Sequence, residues 1–224
     1  MKFNIITIFP NIFNSYLNES ILKRAQKNKL IDIKIHDLRK FAVDKHRRVD
    51  DKPYGGGPGM ALKIEPLVKA VSSLKLKVKS SKLKVIIFTP GGKQFNNKTA
   101  AQLAKKYNNL ILICGRYEGI DARLKFVLKN LKLKTLELSV GPYVLTGGEL
   151  PAMILIDSVS RQIPGVLGKN ESLEEKRGSL GISVYTRPEI FTHKGKKYRV
   201  PNVLLSGNHK NIEKWKRKNV KNNF

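Results

Sequence analysis

Three apolar runs in this chain each lead into a glycine-bearing turn. They are Val85-Ile86-Ile87-Phe88-Thr89 before Pro90-Gly91-Gly92, Leu110-Ile111-Leu112-Ile113-Cys114 before Gly115, and Leu138-Ser139-Val140 before Gly141, with Gly147-Gly148 close behind. Continuous apolar runs of this length, bounded by turns, read as buried strands of a parallel sheet. Three such strands place three loops at one edge of an open α/β sheet, the edge where such sheets bind ligands. Glycines there let the backbone approach a ligand closely.

The rest of the chain fits that frame. Residues 3–9 read as a first strand stopped by Pro10, residues 19–29 as a helix, and residues 31–35 as an alternating, half-exposed strand. Helices are expected over 65–76 and 99–107, with a solvated Lys-rich connection over 75–84. The clearest helix is 150–163, with Pro151 in its first turn and Pro164-Gly165 ending it. Asp157 and Arg161, four apart, share a face of that helix and are placed to pair. Residues 208–219 read as a basic helix carrying Trp215. The expected organisation is an α/β domain over 1–167, a polar flexible linker over 168–181 and a small helical C-terminal domain over 182–224. Alternation of strands and helices argues for a mostly parallel α/β sheet.

Composition narrows the partners. The chain has 224 residues and a net charge of +27, which points to a polyanionic partner, nucleic acid first. Only 11 of its 44 basic residues are Arg, so compositional drift toward Lys explains part of that charge. Cys114 is the one cysteine and sits inside an apolar run, where a structural thiol is expected. A single Cys and the lack of any apolar stretch of ~18 residues fit a cytoplasmic chain without a membrane span.

Several chemistries are excluded by motif. There is no GxxxxGK[ST] loop, no GxGxxG after a strand and no GxSxG elbow, which argues against a P-loop NTPase, a Rossmann oxidoreductase and an α/β hydrolase. His36, His46, His193 and His209 are scattered without metal-ligand spacing, so no metal ligands are assigned. Residues 44–60 lack periodicity and must form a loop. Lys45, His46, Arg47 and Arg48 offer phosphate contacts, while Asp50 and Asp51 can accept from the N1–H and N2–H₂ edge of a guanine. Tyr54 supplies a stacking ring and Gly57 lies in the glycine run beside it. Arg116, Glu118 and Asp121 follow the strand at 110–114 directly, as either a structural ion cluster or catalytic groups.

The segment Asp44-Lys45-His46-Arg47-Arg48-Val49-Asp50-Asp51, with Pro53-Tyr54-Gly55-Gly56-Gly57-Pro58-Gly59-Met60, closely resembles the signature of bacterial tRNA (guanine-N1)-methyltransferases. So do Cys114-Gly115-Arg116-Tyr117-Glu118-Gly119-Ile120-Asp121, Gly147-Gly148-Glu149-Leu150-Pro151-Ala152-Met153, Ile156-Asp157-Ser158-Val159-Ser160-Arg161, Tyr185-Thr186-Arg187-Pro188-Glu189 and Val203-Leu204-Leu205-Ser206-Gly207-Asn208-His209. The resemblance implies a SPOUT-class α/β fold with a deep trefoil knot, an exception to the no-knot rule. It implies methyl transfer from S-adenosylmethionine to N1 of guanine 37 of tRNA, the base just 3′ of the anticodon. It implies a homodimer with shared active sites, C-terminal helices that bind the anticodon arm, and an association with magnesium. Carried over, Thr89, Pro90, Gly115, Tyr117, Val140, Gly141, Pro142, Tyr143, Val144, Leu145, Gly147, Gly148 and Pro151 hold the methyl donor, with Pro142 standing where the family has Asp. Arg161 matches the arginine that stabilises charge at O6, and Glu118 joins it as a catalytic residue.

The linker departs from the family. Aligning Ser172 with the family serine puts Lys176 where the proton-accepting Asp is expected, and no Asp occurs from 158 onward. Glu174 and Glu175 are the candidate substitutes. An extension of about five Lys- and Leu-rich residues precedes Leu136, and the chain stops soon after Trp215, short of the family's last helices. Two readings follow: an active methyltransferase, or a tRNA-binding module that keeps the fold with weakened or lost catalysis.

Overall fold

The apolar runs pair as a parallel sheet. In the computed structural model, which describes residues 1–78, 82–168 and 182–219, the strands are β1 (Lys2–Thr7), β2 (Asp32–Asp37), a two-residue antiparallel pair β3 (Asp50–Asp51) and β4 (Ala61–Leu62), then β5 (Leu83–Gln94), β6 (Asn109–Ile113) and β7 (Thr135–Ser139). The main sheet has the order β2-β1-β6-β5-β7, and every neighbouring pair is parallel. Helices α1 (Asn14–Leu17), α2 (Ser20–Lys27), α3 (Ile64–Lys77), α4 (Asn97–Lys106) and α5 (Leu124–Asn130) connect the strands, and α6 (Glu149–Arg161) follows β7.

Pleating decides the layers. Ile5, Ile86, Leu110 and Leu112 point to one face and pack with Leu22 and Ala25 of α2, Ala100 and Leu103 of α4, and Ile156 and Val159 of α6. The alternate residues Ile6, Val85, Ile87, Ile111 and Ile113 point to the other face, against Leu67, Ala70 and Leu74 of α3 and Leu128 of α5. Both faces are covered, so the central strands read as continuous apolar runs rather than alternating ones. Burying each such side chain is worth about 1.5–3 kcal/mol.

Several boundaries differ from the expectation, three of them by a new start or a longer run. β5 does not end at Pro90; it runs on to Gln94, with its pairing to β7 interrupted between Phe88 and Lys93. A Cβ on Gly92 would lie 2.7 Å from the Leu138 backbone, so only glycine lets the two strands close up again there. β7 begins at Thr135, upstream of the apolar run, within the Lys/Leu-rich stretch. α4 starts at Asn97 because the Asn96 side chain accepts from the Thr99 amide at 2.9 Å.

The chain divides into two units, Met1–Gly168 and Lys169–Phe224. The second contains a hairpin, β8 (Ile190–His193) against β9 (Lys196–Arg199), and helices α7 (Asn202–Leu205) and α8 (His209–Lys218). The helical expectation holds for α8; the hairpin is new. Among the described residues no helix is long and apolar enough to cross a membrane.

Candidate functional site

The interrupted stretch of β5 at 87–90 and the loops after β6 and β7 line a cavity of about 420 Å³, within the range of small-molecule sites. Of the thirteen residues expected to hold a ligand, eleven line it: Thr89, Pro90, Gly115, Tyr117, Val140, Tyr143, Val144, Leu145, Gly147, Gly148 and Pro151. Gly141 and Pro142 do not. Gly141 is buried beneath Tyr143, whose ring would lie 2.2 Å from a Cβ at that position, and Pro142 is exposed. Glu118 is on the wall, as are Arg116, Asp121, Lys125 and Glu137.

A buried charge network fixes the loop from 141 to 148. Arg116 Nε donates to Glu149 Oε2 at 2.8 Å, and Thr7 Oγ1 donates to Glu149 Oε1 at 2.7 Å. The Thr7 hydroxyl oxygen in turn accepts from the Phe9 amide at 2.9 Å, and the Arg116 guanidinium lies 4.6 Å from the centre of the Phe9 ring. Arg116 Nη1 donates to the Thr146 carbonyl at 3.3 Å. With side chains only 17% and 2% exposed, Arg116 and Glu149 depend on each other for solvation. The loop crosses directly over β6: the Gly148 amide donates to the Gly115 carbonyl at 2.9 Å, and a Cβ on Gly148 would sit 2.6 Å from Cys114 Cα. Burial, more than the nearby Glu149, pushes the Cys114 thiol well up, which fits a structural thiol.

Tyr117 is the strained residue of the wall, with φ of 59° at a bulky side chain. Burial, then the charge of Asp50, raises its phenol. That Asp50 contact links the cavity to the 44–60 loop. The Glu118 amide donates to the Met60 carbonyl at 3.0 Å, and the Leu62 amide to the Gly119 carbonyl at 3.0 Å. Gly59 gives the Glu118 carboxylate its place, since a Cβ there would lie 2.7 Å from Glu118 Oε1. The structure therefore brings the expected tRNA-reading loop and the cavity wall together.

Inside the loop, Asp44 accepts from the His46 amide at 2.9 Å and the Arg48 amide at 3.2 Å. The Arg48 amide is the main reason its carboxyl lies below the usual range. This tight turn leaves Lys45, His46, Arg47 and Arg48 exposed, while the buried Val49 anchors it. Asp51 lies 3.9 Å from Lys63. Tyr54 is 99% exposed, and Gly57 sits beside it at φ of 107°.

Arg161 occupies the last turn of α6, off the cavity wall. Asp157 takes the Tyr16 hydroxyl as its hydrogen-bond donor. The candidate bases Glu174 and Glu175, with Ser172 and Lys176, lie outside the described residues. Sequence reasoning missed the wall residues Lys125 and Glu137, an ion pair at 2.6 Å, because they stand on α5 and inside β7, outside the glycine-bearing turns. Among the described residues no group of three or more His, Cys, Asp and Glu could hold a metal ion, so they do not by themselves fit a resident magnesium ion.

A protein-family model described as tRNA (Guanine-1)-methyltransferase TrmD matches residues 1–223. The chain is similar to the tRNA (guanine-N(1)-)-methyltransferase of Dictyoglomus turgidum, 50% identical over 221 residues that cover 97% of this chain and 84% of that protein. The protein of that name from Geotalea uraniireducens is 48% identical, covering 97% and 85%, and that of Thermomicrobium roseum is 49% identical, covering 97% and 78%.

Proposed function

The chain belongs to the tRNA (guanine-1)-methyltransferase family, and from that premise we propose that it transfers a methyl group from S-adenosylmethionine to N1 of guanine 37 in tRNA. The observation that carries the reading is the cavity lined by the interrupted stretch of β5 and the loops after β6 and β7. Its volume and its eleven expected wall residues suit a bent nucleoside ligand. We place the trefoil knot of the family where residues 141–148 cross β6. S-adenosylmethionine, when bound, supplies an electrophilic sulfonium methyl.

The chain's own residues supply the rest. Guanine N1 carries a proton and is a poor nucleophile until that proton leaves, so a positioned carboxylate has to accept it. Glu174 and Glu175 are the linker carboxylates for that step, and Glu118 is a carboxylate of the cavity wall. Arg161 stabilises the negative charge that develops at O6. Lys45, His46, Arg47 and Arg48 take phosphates, Asp50 and Asp51 accept from the guanine edge, and Tyr54 stacks on a base.

Leu150, Ile154, Asp157 and Arg161 fall on one face of α6, and Leu150 and Ile154 are exposed there. Phe9, Ile12 and Tyr16 add exposed rings and apolar surface beside them. We assign this stripe to a homodimer interface, which brings Arg161 to a site shared between subunits. The cytoplasm, where tRNA is matured, is the proposed location.

Lys176, standing where the family's Asp is expected, favours a second reading: a tRNA-binding module with weakened or lost catalysis. Transcribed tRNA incubated with the protein and methyl-labelled S-adenosylmethionine separates the two. Label in the tRNA supports the enzyme; bound tRNA without label supports the module. Full rate in both Glu174→Gln and Glu175→Gln would remove the linker carboxylates from the mechanism.

A further inference from the structure

The hairpin of the second unit carries a surface that the reading above leaves unused. Phe191 on β8 lies opposite Tyr198 on β9, and His193 opposite Lys196. Directly opposed residues of an antiparallel pair share a face, as do residues two apart on one strand. All four side chains therefore stand on one side of the ribbon. The Phe191 and His193 rings are near parallel, 13° apart in plane with centroids at 6.3 Å. The Tyr198 ring lies 6.4 Å from Phe191, and Lys196 Nζ is 5.5 Å from the centre of the Tyr198 ring.

Cross-strand rings steady a ribbon that is marginal alone. Steadying does not explain their exposure. Phe191 keeps 57% of its surface open and Tyr198 49%. Between residues 190 and 200 the chain has Lys194, Lys196, Lys197 and Arg199 and no acidic residue. Open aromatic faces set among cations are the chemistry that holds unpaired nucleobases: each ring offers a stacking plane, and each cation a phosphate partner. A nucleic-acid duplex would use the cations and leave the rings idle. A protein partner would have to bury Lys196, on the same face, and Lys194, at the turn, along with the rings.

We propose that this face of the hairpin is a stacking platform for an unpaired base of the tRNA, with Phe191 and Tyr198 taking the base and Lys194 and Lys196 the neighbouring phosphates. The proposal rests on the reading of the chain as a tRNA methyltransferase and adds a substrate contact to it.

The test uses the full chain. Phe191→Trp is placed in a Trp215→Phe background, so that one tryptophan reports on the platform. A single-stranded RNA dodecamer quenches its fluorescence, and a duplex of the same sequence does not. Phe191→Leu keeps apolar bulk in the ribbon but removes the ring; it weakens tRNA binding about tenfold, and Phe191→Tyr restores it. Lys196→Gln lowers the slope of log K against log salt by about one. Unquenched fluorescence with wild-type affinity in Phe191→Leu overturns the platform, while methyl transfer by that variant leaves the enzyme reading standing. Quenching by single strands in a protein that methylates no tRNA supports the platform and sinks the enzyme reading.

Discussion

Replacing Glu149 by glutamine should cost about 3 kcal/mol of stability, because it strands the Arg116 guanidinium in a site where that side chain is 17% exposed. The lower end of the range for a broken buried pair applies, since Arg116 keeps the Phe9 ring and the Thr146 carbonyl. Arg116→Met is the harsher change, at about 4 kcal/mol, because the Glu149 side chain, 2% exposed, is left with Thr7 alone. The double variant Arg116→Met/Glu149→Gln removes both charges, and its cost should fall below that of either single change. Equilibrium urea unfolding of the four proteins measures this. The network also carries function, because it holds Thr146 and Gly147 against the cavity; each single variant should bind S-adenosylmethionine about tenfold more weakly by calorimetry, ~1.4 kcal/mol. Single variants each costing under about 1 kcal/mol, or a double variant costing the sum of the two, would refute the claim that this pair fixes the loop.

Gly148→Ala places a methyl 2.6 Å from Cys114 Cα; backbone has to move, at about 1–3 kcal/mol, which a lowered Tm reports. Tyr16 is pushed up to about 12, chiefly by its hydrogen bond to Asp157. A raised folded value means that the bond's contribution is intact below the ordinary phenol value of about 10 and is lost as pH rises through about 12. The difference between wild type and Tyr16→Phe in phenolate absorbance should accordingly titrate near the upper value, and a midpoint near 10 would contradict the bond. Arg47→Ala and Arg48→Ala should each lower the salt slope of tRNA binding by about one, and unchanged slopes would remove the 44–60 loop from the interface. Arg161→Ala should cut kcat about a hundredfold, in line with loss of one charge-stabilising donor, with little change in affinity for S-adenosylmethionine; an unaltered kcat would end its assigned role.

The parallel sheet was legible because its central strands are buried on both faces, so 85–88 and 110–113 appear as unbroken apolar runs. β7 was misplaced because it is the edge strand. With only β5 beside it, Thr135 stays exposed and Leu136 and Glu137 are only half-buried, so the fully buried apolar signal starts at Leu138. The cavity wall was legible through the motif resemblance, down to Tyr117 and Gly148. Position in sequence says nothing of which glycine faces in and which faces out, so Gly141, tucked under Tyr143, was grouped with the lining residues. The Thr7–Glu149–Arg116 network joins residues up to 142 positions apart, a separation at which no local pattern exists. The hairpin was hidden because its strands are four residues each and carry cations in place of alternating apolar positions.

The most direct test is the identity of the product nucleoside. Unmodified tRNA with guanine just 3′ of the anticodon, treated with the protein and S-adenosylmethionine, is digested and resolved by mass spectrometry. The account predicts 1-methylguanosine at that position, and none when the guanine is replaced by adenine. Methylation at another atom or base, or tRNA recovered unmethylated from a complex that binds both substrates, would contradict it.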